Sequence, residues 1–524
     1  MLDRSVLLPC LVGIVAAIII VSRRGSERYR FPPGPKPLPL IGNLLDAPTD
    51  LGWYTYAKWA RQYDSDIIHF EVFGQHFYIL NSVRVAKDLL ERRSQVYADR
   101  QQSVMVQELT GWHRVFSMKA YGESWRQQRR LFHQHFRQQA IPEYHAELTN
   151  GARMLLRSFL ESPDHFLEHI RHISGGTILA VLYGIDVDKY SAERMESIEK
   201  AIEIVTEIAD GGVYLVDFIP LLKYLPTWFP GAGFKRRAAE WRIHVETMFE
   251  APYGDVKRDM KLGTAKPCVA TKLMSAFGDK AEDPEIEELL ICVTGTAYAA
   301  SDTIVFAMIA FVRAMMVFPE VQCKAQQELD RVVGRDRLPV ISDQASLPYL
   351  AAVTKELLRW HPITPIAVPH KSTTDDWYDG YYVAAGSIVI ANVWAMFRDE
   401  ERYPDPEAFR PERFLTAEGA LDPAVPDPVE VFGFGRRMCA GRHYVDAALF
   451  LAMAHVLHAL TIEKPRDAQG NVVEPPPGYA LSRLFWCVAA NASASVDEVD
   501  DDGSAGFAGR RSHLRQTSSR GLKG

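Results

Sequence analysis

The pattern of apolar and polar positions divides the chain into three unequal parts. Val6 to Val21, "VLLPCLVGIVAAIIIV", is sixteen residues without a charge, and a basic and then a proline-rich stretch follow it. From residue 31 to about 490, apolar positions recur at helical spacing in many windows, including Pro319–Val333, Leu347–Trp360 and Gly441–Leu460. Strand-like runs are fewer. The clearest is "YYVAAGSIVIANV", Tyr381 to Val393, which reads as a strand pair split at Gly386. No linker, repeat or low-complexity break divides residues 31–490, so the pattern predicts one large domain, mainly α with a minor β portion. Residues 491–524 are polar and glycine-rich, with an acidic block before a basic one, and read as a disordered tail.

As a helix, Val6–Val21 would span about 24 Å, short for an average bilayer but sufficient for the thinner endoplasmic reticulum membrane. A cleaved signal peptide is the competing reading, because apolar runs this short are often signal cores. Two features favour a retained anchor. "MLDRS" before the run carries no net positive charge, whereas Arg23, Arg24, Arg28 and Arg30 follow it. Positive flanks stay cytosolic. Residues 1–30 are therefore expected to form a single-pass anchor with Met1 lumenal and the body of the protein cytosolic. Prolines 32, 33, 35, 37 and 39 in "FPPGPKPLPLIGNLL" exclude helix and central strand, and predict a stiff spacer off the membrane.

Composition narrows the function. Hydrophobic residues at 47%, charged residues at 24% and a net charge of −7 suit a large globular core and exclude the basic footprint of a nucleic-acid binder. The six cysteines, at 10, 268, 292, 323, 439 and 487, form no close pair, so no disulfide framework is expected. Cys439 alone has an unusual setting, "VFGFGRRMCAG", just ahead of an apolar helix. Gly433, Gly435 and Gly441 would let the backbone approach a flat ligand. A helix start lowers a thiol's pKa, and Arg436 and Arg437 add positive charge. An inert buried thiol is one alternative. Zinc held by Cys439 and His443 is another, although no Cys/His cluster offers the remaining ligands.

Phe432, Gly435, Arg437, Cys439 and Gly441 fit F-x-x-G-x-R-x-C-x-G, and in that pattern the chain resembles the cytochrome P-450 family. The resemblance implies that Cys439 is the proximal thiolate ligand of a haem b iron, a ligand that favours O–O cleavage. Other stretches agree in the family's order. "KELLRW" supplies Glu356 and Arg359, which the family buries together with the arginine of "RPERFL", Arg413. "YGESWRQQRRLFHQHF" resembles the helix that directs Trp125 and Arg129 at a haem propionate, and "VPHK" places His370 as a further donor, as does Arg437. The distal helix, Thr294 to Met316, contains "AASDTI", where Asp302 and Thr303 match the acid–alcohol pair that relays protons to bound dioxygen. The family's glycine is replaced by Ala300 and its second hydroxyl residue by Ile304. The first change leaves the widening of the helix open.

No strand–GxGxxG–helix fingerprint for NADPH or flavin is present; "GAGFKR", Gly231 to Arg236, lacks the third glycine and a preceding strand. The resemblance therefore implies a separate membrane-bound NADPH–cytochrome reductase, for which Arg126 and Arg130 form a docking patch or are simply solvated. "IPLLKYLPTWFPG", Ile219 to Gly231, is expected as a lid loop that dips into the bilayer or folds onto its own domain. Ile363–Val368, residues 101–120 and Ala480–Arg483 should line an apolar pocket. The wording resembles fungal secondary-metabolite hydroxylases, including those of basidiomycetes, which implies insertion of one oxygen atom of O2 into an apolar small molecule. Redox-neutral rearrangement or dehydration, and a non-catalytic haem sensor, are the rivals.

Overall fold

The computed structural model describes residues 29–49, 51–210, 214–465, 471–474 and 514–516. Residues 1–28 of the predicted anchor, the Ala480–Arg483 pocket segment and the 491–524 tail apart from 514–516 lie outside them. The chain forms two compact units. One comprises the chain up to Gln101 with Ile366–Met396 and Gly433–Arg437. The other comprises Gln102–Pro365, Phe397–Phe432 and the chain from Met438 on. Both are assembled from separated stretches, so no linker composition marks them in the sequence.

The first unit pairs helix α1 (Gly52–Tyr63) with a five-stranded sheet. Its strands are β1 (Ile67–Val72), β2 (Gln75–Leu80), β3 (Asp99–Arg100), β4 (His370–Lys371) and β7 (Ile388–Ala391), in the order β1-β2-β7-β4-β3. The tight β1–β2 turn is made by Phe73 and Gly74, both at positive φ (50° and 79°), as right-twisted hairpins prefer. β7 runs parallel to β2, and all four of its residues are buried, as a central strand requires. A separate hairpin joins β5 (Asp376–Tyr378) to β6 (Tyr381–Val383). The sequence expectation of a strand pair at 381–393 is corrected here. Both strands exist, but Gly386, at φ 79°, turns the chain so that β6 pairs backwards with β5 while β7 enters the larger sheet.

The proline-rich stretch is not a free spacer. Phe31 stacks on His69 and His76, with ring centroids 4.6 and 5.2 Å away, and the Pro33 carbonyl accepts the His69 N–H at 3.0 Å. A Cβ on Gly34 would fall 1.9 Å from the His69 carbonyl oxygen, so only glycine permits this approach.

The second unit is helical. Its principal helices are α2 (Glu123–Phe136), α3 (His145–Glu161), α4 (Phe166–Tyr183), α5 (Ala192–Asp210), α6 (Gly233–Leu262), α7 (Pro284–Ala299), α8 (Asp302–Val317), α9 (Pro319–Val332), α10 (Pro348–Trp360) and α11 (Arg442–Ala459). The bounds of α9, α10 and α11 match the periodicity to within a residue. α8 is buried on nearly every face, which explains why its sequence is apolar all round. The 284–317 segment is long and apolar enough to cross a membrane, yet most of it is packed inside the protein, as a core helix is. Beside it, Glu356 and Arg359 of α10 are fully buried, and Arg413 joins them at 3.1 Å.

Candidate active site

Cys439 sits on a loop closed by its own N–H, which donates to the Phe432 carbonyl at 2.8 Å, and ends one turn before α11. The backbone amides of Gly441 and Arg442 favour the anionic form of its thiol. Arg129 of α2 steadies the loop from the side, donating from Nη2 to the Met438 carbonyl at 2.6 Å, and Arg442 donates to the Cys439 carbonyl at 3.3 Å. Trp125, one turn before Arg129, is buried with its ring 4.9 Å from that of Tyr121.

Two expectations change. Burial pushes the Cys439 thiol up, and the Gly441 amide and the Arg129 and Arg442 guanidiniums only partly offset it, so the helix start alone does not produce an anion. Nor do Arg436 and Arg437 supply the charge. Arg436 is exposed, and Arg437 donates from Nε to the Ala98 carbonyl at 2.7 Å. The glycines act on the protein as well: a Cβ on Gly435, at φ 53°, would lie 2.3 Å from the Leu90 carbonyl oxygen. Zinc gains no support, since no group of three or more His, Cys, Asp or Glu among the described residues could hold a metal.

Within the first unit, β3–β4 pairing sets Arg100 directly opposite His370. Arg100, His370 and Arg437 are 5%, 2% and 8% exposed. Burial and then Arg437 push Arg100 down to about 9, while burial, Arg100 and Arg437 hold His370 well below its ordinary value. Cationic groups gathered out of water in this way suit an anion.

The distal helix is interrupted where the sequence left its widening open. α7 ends at Ala299 and α8 begins at Asp302. Across the gap the ladder tightens, with Ser301 N–H bonded to the Tyr298 carbonyl and Ile304 N–H to that of Ser301, each at 2.9 Å. The Thr303 hydroxyl donates to the Ala300 carbonyl at 2.8 Å. Asp302 accepts no hydrogen bond among the described residues; burial pushes its carboxyl up to about 6, with Arg171 opposing and Glu203 adding.

A profile of the Cytochrome P450 family matches residues 32–483. The chain belongs to the cytochrome P450 family. Its curated relatives include cytochrome P450 monooxygenase ple1 of Rhodocybe pseudopiperita, 41% identical over 91% of this chain and 93% of that protein. Cytochrome P450 monooxygenase 98 of Postia placenta is 39% identical over 91% of each chain. Tryptamine 4-monooxygenase of Psilocybe cyanescens is 38% identical over 90% of this chain and 94% of its own. The protein is thus a haem monooxygenase with a small-molecule substrate, O2 and a redox partner, and its cofactor is haem b carried on a cysteine thiolate.

The residues present fit that group. Burial raises the thiol's pKa, two backbone amides and the Arg129 and Arg442 guanidiniums favour its anion, and a metal cation would complete the shift to thiolate. The buried cationic cluster fits the porphyrin's carboxylates. Arg100 was missed by the sequence reading. A lone arginine in "YADRQQ" carries no spacing signal, and only the β3–β4 pairing, across some 270 positions, brings it to His370. The cavity of about 470 Å³ lined by Asn150, Met154, Thr177 and Val187, among others, involves none of these side chains. Arg126 is exposed and paired with Glu123 at 2.8 Å, and Arg130 is exposed.

Proposed function

We propose that this P450 hydroxylates or otherwise oxidises an apolar small molecule of fungal secondary metabolism, with electrons delivered by a membrane-bound NADPH–cytochrome reductase. The observation that carries the reading is the setting of Cys439: its N–H is bonded to the Phe432 carbonyl at 2.8 Å, the guanidiniums of Arg129 and Arg442 donate to the carbonyls of Met438 and of Cys439 itself, and an apolar helix follows. Cys439 is the haem ligand. Trp125, Arg129, His370 and Arg437 are the propionate donors that the family likeness names, and Arg100 is added because strand pairing sets it opposite His370. When bound, the haem activates dioxygen with electrons from the partner. The chain's own work is then to hold protons and exclude water. Asp302 takes up a proton from solvent near neutral pH, and the Thr303 hydroxyl passes it on toward the oxygen being reduced.

The N-terminal segment anchors the enzyme in the endoplasmic reticulum with its catalytic body cytosolic. The 215–229 stretch supports a membrane-facing lid, because Leu221, Tyr224 and Trp228 are each more than 70% exposed. An exposed apolar strip on the access side admits lipophilic substrates. Indole amines belong in the substrate screen because one relative is named for tryptamine.

Reduced protein under carbon monoxide is expected to show the red-shifted Soret band of a thiolate-bound haem. Cys439→Ala should lose it and Cys487→Ala should keep it; an unchanged band in Cys439→Ala overturns the assignment. Co-expression with a reductase, followed by metabolite comparison against Cys439→Ala, identifies the product. Product formed without any reductase would instead favour redox-neutral chemistry. Glycan at Asn491 in intact cells would reverse the topology.

A further inference from the structure

The His370 side chain makes one hydrogen bond among the described residues. Its Nδ1 lies 2.7 Å from the carbonyl oxygen of Tyr97. A carbonyl only accepts, so Nδ1 carries a hydrogen. In a neutral ring Nε2 is then a bare lone pair and cannot donate. That nitrogen has no partner among the described residues, and the side chain is 2% exposed. The ring's orientation is thus at odds with the role of a neutral donor to a carboxylate.

Its surroundings in the first unit do not favour a charge on the ring. Arg100 on β3 faces it directly and Arg437 also acts on it, both disfavouring the protonated form. β7 presents only Ile388–Ala391. Asp99 stands opposite Lys371, and the Asp376 carboxylate is engaged by Arg93 at 2.8 Å and by the Tyr97 hydroxyl at 2.9 Å. An added anion reverses this balance, because it meets three cationic groups and needs a donor from Nε2.

We propose that His370 takes up one proton from solvent as haem binds, and holds a propionate as an imidazolium. Nδ1–H stays on the Tyr97 carbonyl and Nε2–H is given to the carboxylate. The inference rests on the haem reading above, but through a different atom from Cys439. It makes haem retention pH-dependent with a definite sign. Between the pKa of His370 in the empty protein and its higher value in the loaded one, binding takes up a proton. The contribution of His370 to haem affinity therefore falls by about tenfold per pH unit as pH rises through that window, and is flat on either side. Cys439 contributes in the opposite direction, since its thiol loses a proton on binding the metal. The two are separated by changing His370 alone.

The test is the equilibrium partition of haem between the holoprotein and excess apomyoglobin from pH 6 to pH 9. Parent and His370→Gln are compared, with His370→Asn as a second variant should the first not accumulate. Over part of that range the logarithm of the parent-to-variant affinity ratio should fall by about one per pH unit. Repeating the comparison with haem dimethyl ester, which lacks the carboxylates, should abolish the difference. Parallel pH profiles for parent and variants overturn the proposal, as does a difference that survives esterification. Loss of the thiolate carbonyl band with the pH difference intact would instead count against Cys439 and leave His370 standing.

Discussion

Two carboxylates of the second unit, Glu356 and Asp302, are held in opposite ways. Glu356 accepts from Arg359 Nε and Nη2 at 2.6 and 2.8 Å, from the Arg410 N–H at 2.8 Å and from Arg413 Nε at 3.1 Å. Arg359 in turn donates to the carbonyls of Phe397, Pro406 and Ala408. The carboxylate is shared by two guanidiniums whose remaining donors go to backbone carbonyls, so the knot fixes the approach of "RPERFL" to α10. Asp302 lies at a helix interruption with no bond to its carboxyl among the described residues, and its pKa is displaced toward neutrality. Full satisfaction marks a structural ion, while an unsatisfied acid with a shifted pKa beside a hydroxyl marks a working one.

The largest effect should come from opening the knot. Glu356→Ala leaves two buried guanidiniums uncompensated, which typically costs about 3–5 kcal/mol. Little soluble haem-loaded protein is expected to accumulate, whereas Glu207→Ala, which cuts an exposed pair with Lys200, should change stability by less than about 1 kcal/mol. Equal yields and melting temperatures for the two variants would dissolve the contrast.

At Asp302 and Thr303 the expected loss lies in rate and not in folding. A positioned proton relay contributes about 10²–10⁴-fold. Asp302→Asn and Thr303→Ala should keep haem content and substrate-induced spectral shifts, while product formation falls and NADPH electrons appear as hydrogen peroxide. Product per NADPH equal to that of the parent would place the relay elsewhere.

The sequence disclosed these two carboxylates unequally. Glu356, Arg359 and Arg413 were legible because three residue types at fixed spacings recur across the family, and their burial followed. Asp302 was legible as a type, but its lack of any partner depends on what α4 and α5 place around it. Arg100 was not legible at all, since its meaning arises from strand pairing between distant stretches. The same holds for β6 and β7, adjacent in sequence yet assigned to different sheets. Local pattern fixes elements and motifs, while partners across long separations are set by packing.

The pH dependence of stability should distinguish the carboxylates more gently. Asp302 is raised to about 6 in the folded protein from an ordinary 3.8. Below about pH 4 the carboxyl is protonated both folded and unfolded, and its contribution is neutral. Between about pH 4 and 6 the unfolded chain releases this proton while the folded protein keeps it, so stability falls across that window and levels off above it. Asp302→Asn should therefore raise the melting temperature at pH 8 relative to the parent, and leave it nearly unchanged at pH 4. An equal rise at both values would remove the titration argument.

The smallest effect concerns Ala300, at which this chain departs from the family's glycine. Ala300 has φ −86° and ψ −7°, and its N–H reaches the Thr296 carbonyl at 3.2 Å, so a residue with a Cβ already adopts the turn that ends α7. The Thr303 hydroxyl, bonded to the Ala300 carbonyl, occupies the acceptor that the interruption frees. The widening is thus held by hydrogen bonds and not by glycine's freedom. Glycine here would add backbone entropy to the unfolded chain and destabilise by at most about 1 kcal/mol. Ala300→Gly should lower the melting temperature slightly and leave product formed per NADPH unchanged. A clear gain in coupling would mean that the alanine restrains the interruption after all, and that the distal helix of this enzyme still had room to open.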